Sequence, residues 1–324
     1  SVPASARALD DAPSSFRVAF TNRTKLYWPE EGITKGEMVD YYVAIAPWLL
    51  PYLADRPVML VRYPDGIHGK HFYQWNVPHG MPAWVRSVSL GKHSFAPADD
   101  EAHEKNVFLV DRVESLAYIA NLGCIPIHVL GSRVGAPDEA DYLVVDFDVG
   151  RSTLANAIVL ATMLRGICEE VGLPAYPKTS GQSGLHVFVS LGVGTTPAAS
   201  RTLADLLGRM LTEAHPSIAT MERTVSRRGV NKVYVDTGQT GASRTIVAPW
   251  SVRATPGARV STPLLWDEVT PDLDPGRYTV RTVLDRVRAG GDPMAPLLTN
   301  RPDMDEVMRK LASLLAKRNN SSSK

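Results

Sequence analysis

Only two cysteines occur among the 324 residues, Cys124 and Cys168, far apart and each flanked by apolar side chains. That scarcity leaves no material for a disulfide framework or a thiolate zinc site, and a reducing cytoplasm is the expected setting. Long apolar runs are missing as well. Residues 39–53 come nearest, and Asp40, Pro47 and Pro51 interrupt them well short of the roughly 20 residues that cross a bilayer. No charged-then-apolar stretch opens the chain, so no export signal is read there. Excess charge is lacking too: 35 basic residues meet 34 acidic ones, a net +1 that argues against a protein coating nucleic acid over its whole surface. There is no Gly-x-Gly-x-x-Gly turn between a strand and a helix, no Walker phosphate loop and no internal repeat.

With 44% hydrophobic and 21% charged residues, the chain has ample material for a core. Residues 1–15, rich in Ala, Ser, Asp and Pro, read as a flexible arm. Residues 16–300 read as a catalytic unit of two packed lobes, and 301–324 as a C-terminal helix with a polar tail that frays from Arg318. Thr34-x-x-Glu37 is a capping box before an apolar-periodic run, which predicts a helix ending at Pro51. Strands are expected over 56–63, 107–109, 125–129, 142–147, 185–191, 232–235 and 244–248. Helices are expected over 113–122, 154–171 and 200–213. Strands and helices mix without strict alternation, which makes the fold class α+β.

Chemistry concentrates in the second half. The run Tyr142-Leu-Val-Val-Asp146-Phe-Asp148 is an apolar strand with two carboxylates on one side of its end, because side chains alternate along a strand. It reads either as a hard-cation site or as two solvated acids. Asp236 ends a second apolar strand. With the first pair it could serve two metals, or it could form the turn before Thr237-Gly238. The loop Thr179-Ser-Gly-Gln-Ser-Gly-Leu-His186 lets the backbone approach an anion and offers hydroxyl donors. His186 opens the strand that follows, and His128 stands shortly before the Asp-x-Asp strand. From Glu222 to Arg259, seven basic residues face only Glu222 and Asp236. Among them Arg244 and Arg253, near Gln239, suit phosphate oxygens because the guanidinium binds two at once.

Taken together, Asp146-Phe-Asp148, Ser180-Gly-Gln-Ser-Gly-Leu-His186, Val235-Asp236 and Ala248-Pro-Trp-Ser-Val-Arg253 resemble the archaeo-eukaryotic primase superfamily. In particular they are similar to the polymerase domain of bacterial ATP-dependent DNA ligase D. The likeness runs from Phe20-Thr-Asn-Arg-Thr-Lys25 to Leu265-Trp-Asp-Glu268. It implies a primase-polymerase fold, with a mixed or antiparallel catalytic sheet flanked by helices and a packed N-terminal lobe. It implies that Asp146, Asp148 and Asp236 are catalytic ligands of two ions, Mn²⁺ or Mg²⁺. Ser180, His186 and Arg253 would hold the incoming triphosphate, with Gln239, His128 and Arg244 in support. Asn22, Lys25 and Lys35 match a pocket for a DNA 5′-phosphate, and Phe72 and Tyr73 match an aromatic pair that stacks on template bases.

The activity implied is primer extension from an NTP or dNTP in gap filling or end extension. The alternatives are a two-metal nuclease or phosphodiesterase, and a non-catalytic DNA-end-binding module. The implied partners are DNA with gaps, overhangs or ends and, in an end-joining setting, a Ku-like end binder and a separate ligase. No membrane is involved, and the expected location is the bacterial cytoplasm at the nucleoid. No Lys-x-Asp-Gly ligase motif is present, so nick sealing is not expected. One departure stands out: Ser183 occupies the place of a lysine usual in the family's Ser-Gly loop.

Overall fold

A computed structural model of the chain describes residues 17–90 and 105–322. The expected N-terminal arm lies outside the described residues. The first half runs β1 (Leu26–Trp28), β2 (Ile33–Thr34), α1 (Lys35–Leu53), β3 (Pro57–Arg62), β4 (Phe72–Gln74), β5 (Arg86–Leu90), β6 (Lys105–Leu109), α2 (Val113–Asn121) and β7 (Cys124–Leu130). Next come β8 (Tyr142–Asp148), α3 (Leu154–Val171), β9 (Ala175–Thr179), β10 (Leu185–Ser190) and α4 (Pro197–Ala214). The chain closes with β11 (Ala219–Thr220), β12 (Val233–Asp236), β13 (Thr245–Val247), α5 (Val283–Gly290) and α6 (Met304–Ser322).

Two sheets organise these elements. The first has the order β13-β7-β3-β6-β5, with β4 added beside β3, and its pairings are antiparallel. The second has the order β11-β12-β8-β10-β9 and is antiparallel except for the β11–β12 pair. Strand alternation divides the second sheet into two uses. Leu143, Val145 and Phe147 of β8, with Val187 and Val189 of β10, face a core shared with α3 and α4. The opposite face puts Tyr142, Val144 and Phe188 into the core built on the first sheet. The same face then turns polar at Asp146, Asp148 and His186. The sheets are thus packed together at one end and lined by polar groups at the other, and that boundary sets the site.

Thr34 and Glu37 make the capping box: Thr34 N donates to Glu37 Oε2 at 2.9 Å and Glu37 N to Thr34 Oγ1 at 3.2 Å. The helix does not end at Pro51, however, but runs to Leu53. A proline inside a helix costs about 3 kcal/mol. Continuing the turn buries Tyr52 and Leu53, at roughly 1.5–3 kcal/mol for an apolar side chain, and lets the Tyr52 hydroxyl donate to Asp292 at 2.6 Å. Helix α3 has the predicted bounds, closed by Gly172 in the left-handed conformation at φ 83°. Helix α6 carries through the stretch expected to fray. Arg318 there donates to the carbonyl of Met210 at 3.4 Å. Just before β8, buried Asp141 accepts from Arg56, and Arg133 and Arg301 approach it at 3.1 and 3.3 Å.

Candidate active site

Register builds the site. His186 of β10 lies opposite Asp146 of β8 on one side and Lys178 of β9 on the other, while Asp236 of β12 lies opposite Asp146. Lys178, His186, Asp146 and Asp236 therefore form one polar row across four adjacent strands. Asp148, two residues beyond Asp146, shares their face opposite Tyr234. His186 Nε2 stands 3.4 Å from Asp146 Oδ1. Asp236 accepts from Gly238 N at 2.6 Å and from Gln239 Nε2 at 3.2 Å. Asp148 accepts from Gly150 N at 3.1 Å and pairs with Arg228 at 3.3 Å.

The electrostatics call for cations. Burial, then the charges of Asp236 and Asp148, push the Asp146 carboxyl up to about 7. Three carboxylates on one sheet face are a donor set for hard divalent ions. In this conformation no three His, Cys, Asp or Glu side chains among the described residues close round a single point. Asp236 is the cross-strand neighbour of Asp146, roughly 5 Å away at Cβ, and Asp148 lies two residues along the same strand on the same face. Arg228 meanwhile supplies the compensating charge, stacked 3.6 Å over the Tyr234 ring and tethered to the carbonyls of Glu222 and Arg223.

Beside the carboxylates opens a cavity of about 290 Å³, lined on the second sheet by Asp146, His186, Ser180 and Ser183 and on the first by His128 and Val247. Gln239 and Arg253 also line it. Ser180 shapes the loop: its Oγ accepts from Gln182 N at 3.1 Å and Gly184 N at 3.0 Å, which leaves its hydroxyl proton for a ligand. Two glycines there have no substitute. A Cβ on Gly184 would fall 2.0 Å from the Phe147 carbonyl oxygen, and one on Gly181, at φ 75°, 2.4 Å from Arg253 Cγ. Arg253 is set by its backbone bond to Arg259 O at 2.8 Å and by wholly buried Trp250, whose indole donates to Asp292. Among the described residues the Arg253 guanidinium has no hydrogen-bond or ion-pair partner, so an anion in the cavity meets a donor fork with nothing to displace. Burial and the nearby charges of Arg253 and Lys178 depress His128 to about 3, and His186 is likewise held well below the usual range. Both rings are neutral.

Lys25 and Lys35 meet at the other expected anion site. Lys35 N donates to Lys25 O at 2.8 Å, and buried Lys35 Nζ donates to Thr21 O at 2.8 Å. Burial, then Lys25, Arg62 and Arg23, lower the Lys35 amine to about 8. Asn22, at φ 53°, opens the turn that Lys25 N closes on its carbonyl at 3.0 Å. Lys25 is paired with Asp65. On β4, Phe72 and Tyr73 are 43% and 64% exposed, which rules out a core role. Arg62 lies 5.0 Å over the Phe72 ring, and His71 stacks on Tyr63 at 4.9 Å and meets Tyr73 edge-on.

The sequence matches the family described as LigD, primase-polymerase domain, over residues 34–294. The chain belongs to the LigD primase-polymerase family. It is 32% identical over 295 residues to the multifunctional non-homologous end joining protein LigD of Mycolicibacterium smegmatis, covering 90% of this chain and 37% of that protein. The bifunctional non-homologous end joining protein LigD of Bacillus subtilis is 28% identical over 289 residues, 89% of this chain and 45% of that protein. The chain thus spans less than half the length of these curated relatives. Among solved structures, the polymerase domain from Mycobacterium tuberculosis ligase D in complex with DNA matches with a TM-score of 0.80 and 28% identity, covering 89% of this chain and all of that one.

The expected α+β primase-polymerase fold is therefore the fold observed, and as a LigD primase-polymerase domain this chain is a nucleotidyltransferase of a metal-dependent family. Of the residues singled out in the sequence, Asp146, Asp148, Asp236, Ser180, His186, Arg253, Gln239 and His128 all line the one cavity. Arg244 does not; it borders a neighbouring space of about 10 Å³ that shares Gln239. Sequence reasoning missed Lys178, Arg228 and Arg62. Only Lys178 left a usable signal, two residues before Ser180, and Pro177 beside it hid the strand.

Proposed function

We propose that this LigD-type domain extends the 3′-hydroxyl of a DNA primer with NTPs or dNTPs at gaps, overhangs and ends during end-joining repair in the bacterial cytoplasm. One observation supports the reading above all others: a row of carboxylates in register beside a cavity whose Arg253 guanidinium is unpartnered among the described residues. Asp146, Asp148 and Asp236 would hold two divalent cations, Mn²⁺ or Mg²⁺, which when bound lower the pKa of the attacking hydroxyl and neutralise charge on the phosphoryl oxygens. The chain's own groups do the rest. Arg253 binds phosphate oxygens through its fork, and the Ser180 hydroxyl and His186 Nε2 donate from the adjoining wall. Gln239 steadies Asp236, and Phe72 and Tyr73 offer rings on which template bases stack. Lys25 and Lys35 receive the 5′-phosphate at the far side of a gap. No histidine base is required, and both histidines are neutral donors or acceptors.

Incubating the protein with a labelled primer on a gapped template, NTP or dNTP, and Mn²⁺ tests this reading. Lengthened primer is the expected product. Shortened primer marks a nuclease, and binding with no change in length marks an end-binding module. Either outcome overturns the reading.

Lys35 makes the 5′-phosphate contact dependent on pH. Its amine is lowered to about 8 in the free protein, so it is charged below that pH and neutral above it. A phosphate dianion raises that value on binding, so above pH 8 each bound end must also take up a proton. The preference for 5′-phosphorylated over unphosphorylated gaps is expected to fall above pH 8, by up to about tenfold per pH unit. Fluorescence anisotropy with both DNAs from pH 7 to 9.5 at fixed salt measures it. A preference that stays level across that range removes Lys35 from the contact.

A further inference from the structure

We propose that Lys178, buried behind the cavity, is a positioning residue that fixes the His186 ring with its Nε2–H facing Asp146 and the bound triphosphate. This inference rests on the polymerase reading for what the cavity holds, but not for the ring geometry. Lys178 is completely buried, an unusual place for an amine, and among the described residues it makes no ion pair with an acid. Its Nζ lies 2.9 Å from His186 Nδ1 and also bonds Ser261 Oγ. Ser261 gives its own proton to the carbonyl of Thr179 at 2.7 Å, so it can only accept from Lys178. That assigns the direction of the Lys178–Ser261 bond. As an ammonium, which has no lone pair, Lys178 donates to His186 as well as to Ser261, and Nδ1 is then the unprotonated nitrogen.

Burial, then the charge of Arg253, lower the amine from the ordinary lysine value, and the carboxylate of Asp146 opposes them. A neutral amine would keep two N–H groups but gain a lone pair able to accept from Nδ1–H, so the ring tautomer is what the test reads. A third proton, when present, points toward Phe188, whose ring centre is 5.5 Å away. With Nδ1 occupied, the ring proton sits on Nε2, 3.4 Å from Asp146 Oδ1 and on the cavity wall. The other tautomer would aim a lone pair at a carboxylate and at an anionic ligand. Lys178 thus turns a neutral ring into a directed donor without touching the nucleotide. His186 starts β10 opposite Lys178 in β9, so the strand register itself delivers the contact.

Two experiments test the assignment. Protein labelled with ¹⁵N at histidine should show His186 with a protonated Nε2 and a bare Nδ1, identified by loss of that signal in His186→Ala. A protonated Nδ1 in the wild-type protein overturns the proposal, and this result stands whether or not the chain extends a primer. In primer extension, Lys178→Met should raise the nucleotide KM about tenfold while kcat stays within about threefold. Placed in a His186→Ala background, Lys178→Met should add less than about twofold. A full additional loss in that background means that Lys178 acts elsewhere. If the wild-type protein extends no primer, the polymerase reading fails while the tautomer measurement still decides this one.

Discussion

Replacing Asp146 and Asp148 together with alanine abolishes primer extension, by on the order of 10³-fold or more, and leaves the fold standing. The site row is the reason for both halves of that result. Asp146 is the centre of the row, with Asp236 and His186 as its lateral neighbours in register and Asp148 on the same face. Removing both proposed ligands from β8 leaves Asp236 alone, and one carboxylate cannot hold a pair of ions. Stability moves the other way. The fold raises Asp146 to about 7, because its charged form is buried beside two other acids. Above that pH, and with cations chelated, Asp146 is a buried anion whose desolvation and acidic neighbours outweigh the charge of Arg253, and it works against the folded state. Asp146→Asn should therefore melt above the wild type at pH 8 in chelator. That gain should shrink as pH falls through 7 toward 4, where the wild-type carboxyl becomes neutral as well. Circular dichroism melts and a gapped-primer assay read the two halves separately. Extension by the double variant at the wild-type rate would end the assignment of these residues.

Much of this geometry is legible in the sequence, and the reasons are particular. Residues 154–171 repeat apolar side chains at helical spacing up to a left-handed glycine, so the observed α3 has the predicted bounds. Strands β8, β10 and β12 are continuous apolar runs, and each carries its chemistry at one end, so the Asp and His positions could be read before the sheet was known. Pairing is a different matter. Nothing local in β9, with Pro177 inside it, says that Lys178 will face His186 across a strand boundary. Arg228 sits in a loop whose arginines look alike in sequence, and only the Tyr234 ring and Asp148 single it out. Proline rules describe an isolated helix and end α1 at Pro51, whereas burial of Tyr52 and Leu53 carries it to Leu53. Short strands such as β5, with its largely exposed residues, take their form from the partner they pair with.

Arg253→Ala should lower kcat/KM for the incoming nucleotide by about 10²-fold, with most of the loss in KM, since charge-assisted bonds contribute about 1.5–3 kcal/mol each. The Arg253 main chain is held in place before any ligand arrives, by its bond to Arg259 O and by the left-handed turn at Trp250, φ 70°, and its Cγ lies against Gly181. Burial lowers its pKa, opposed first by the field of Asp146, so the guanidinium and the carboxylate row stabilise each other across the cavity. Arg253→Lys should recover only part of the loss, because an ammonium supplies charge without the planar pair of donors. Inorganic tripolyphosphate gives the decisive comparison, since it carries the anion without base or sugar. It should inhibit the wild-type enzyme in competition with nucleotide and lose that competition against Arg253→Ala. Equal inhibition of the two proteins would place the triphosphate elsewhere in the cavity, on the Ser180 loop alone, and would leave the unpartnered guanidinium without a ligand.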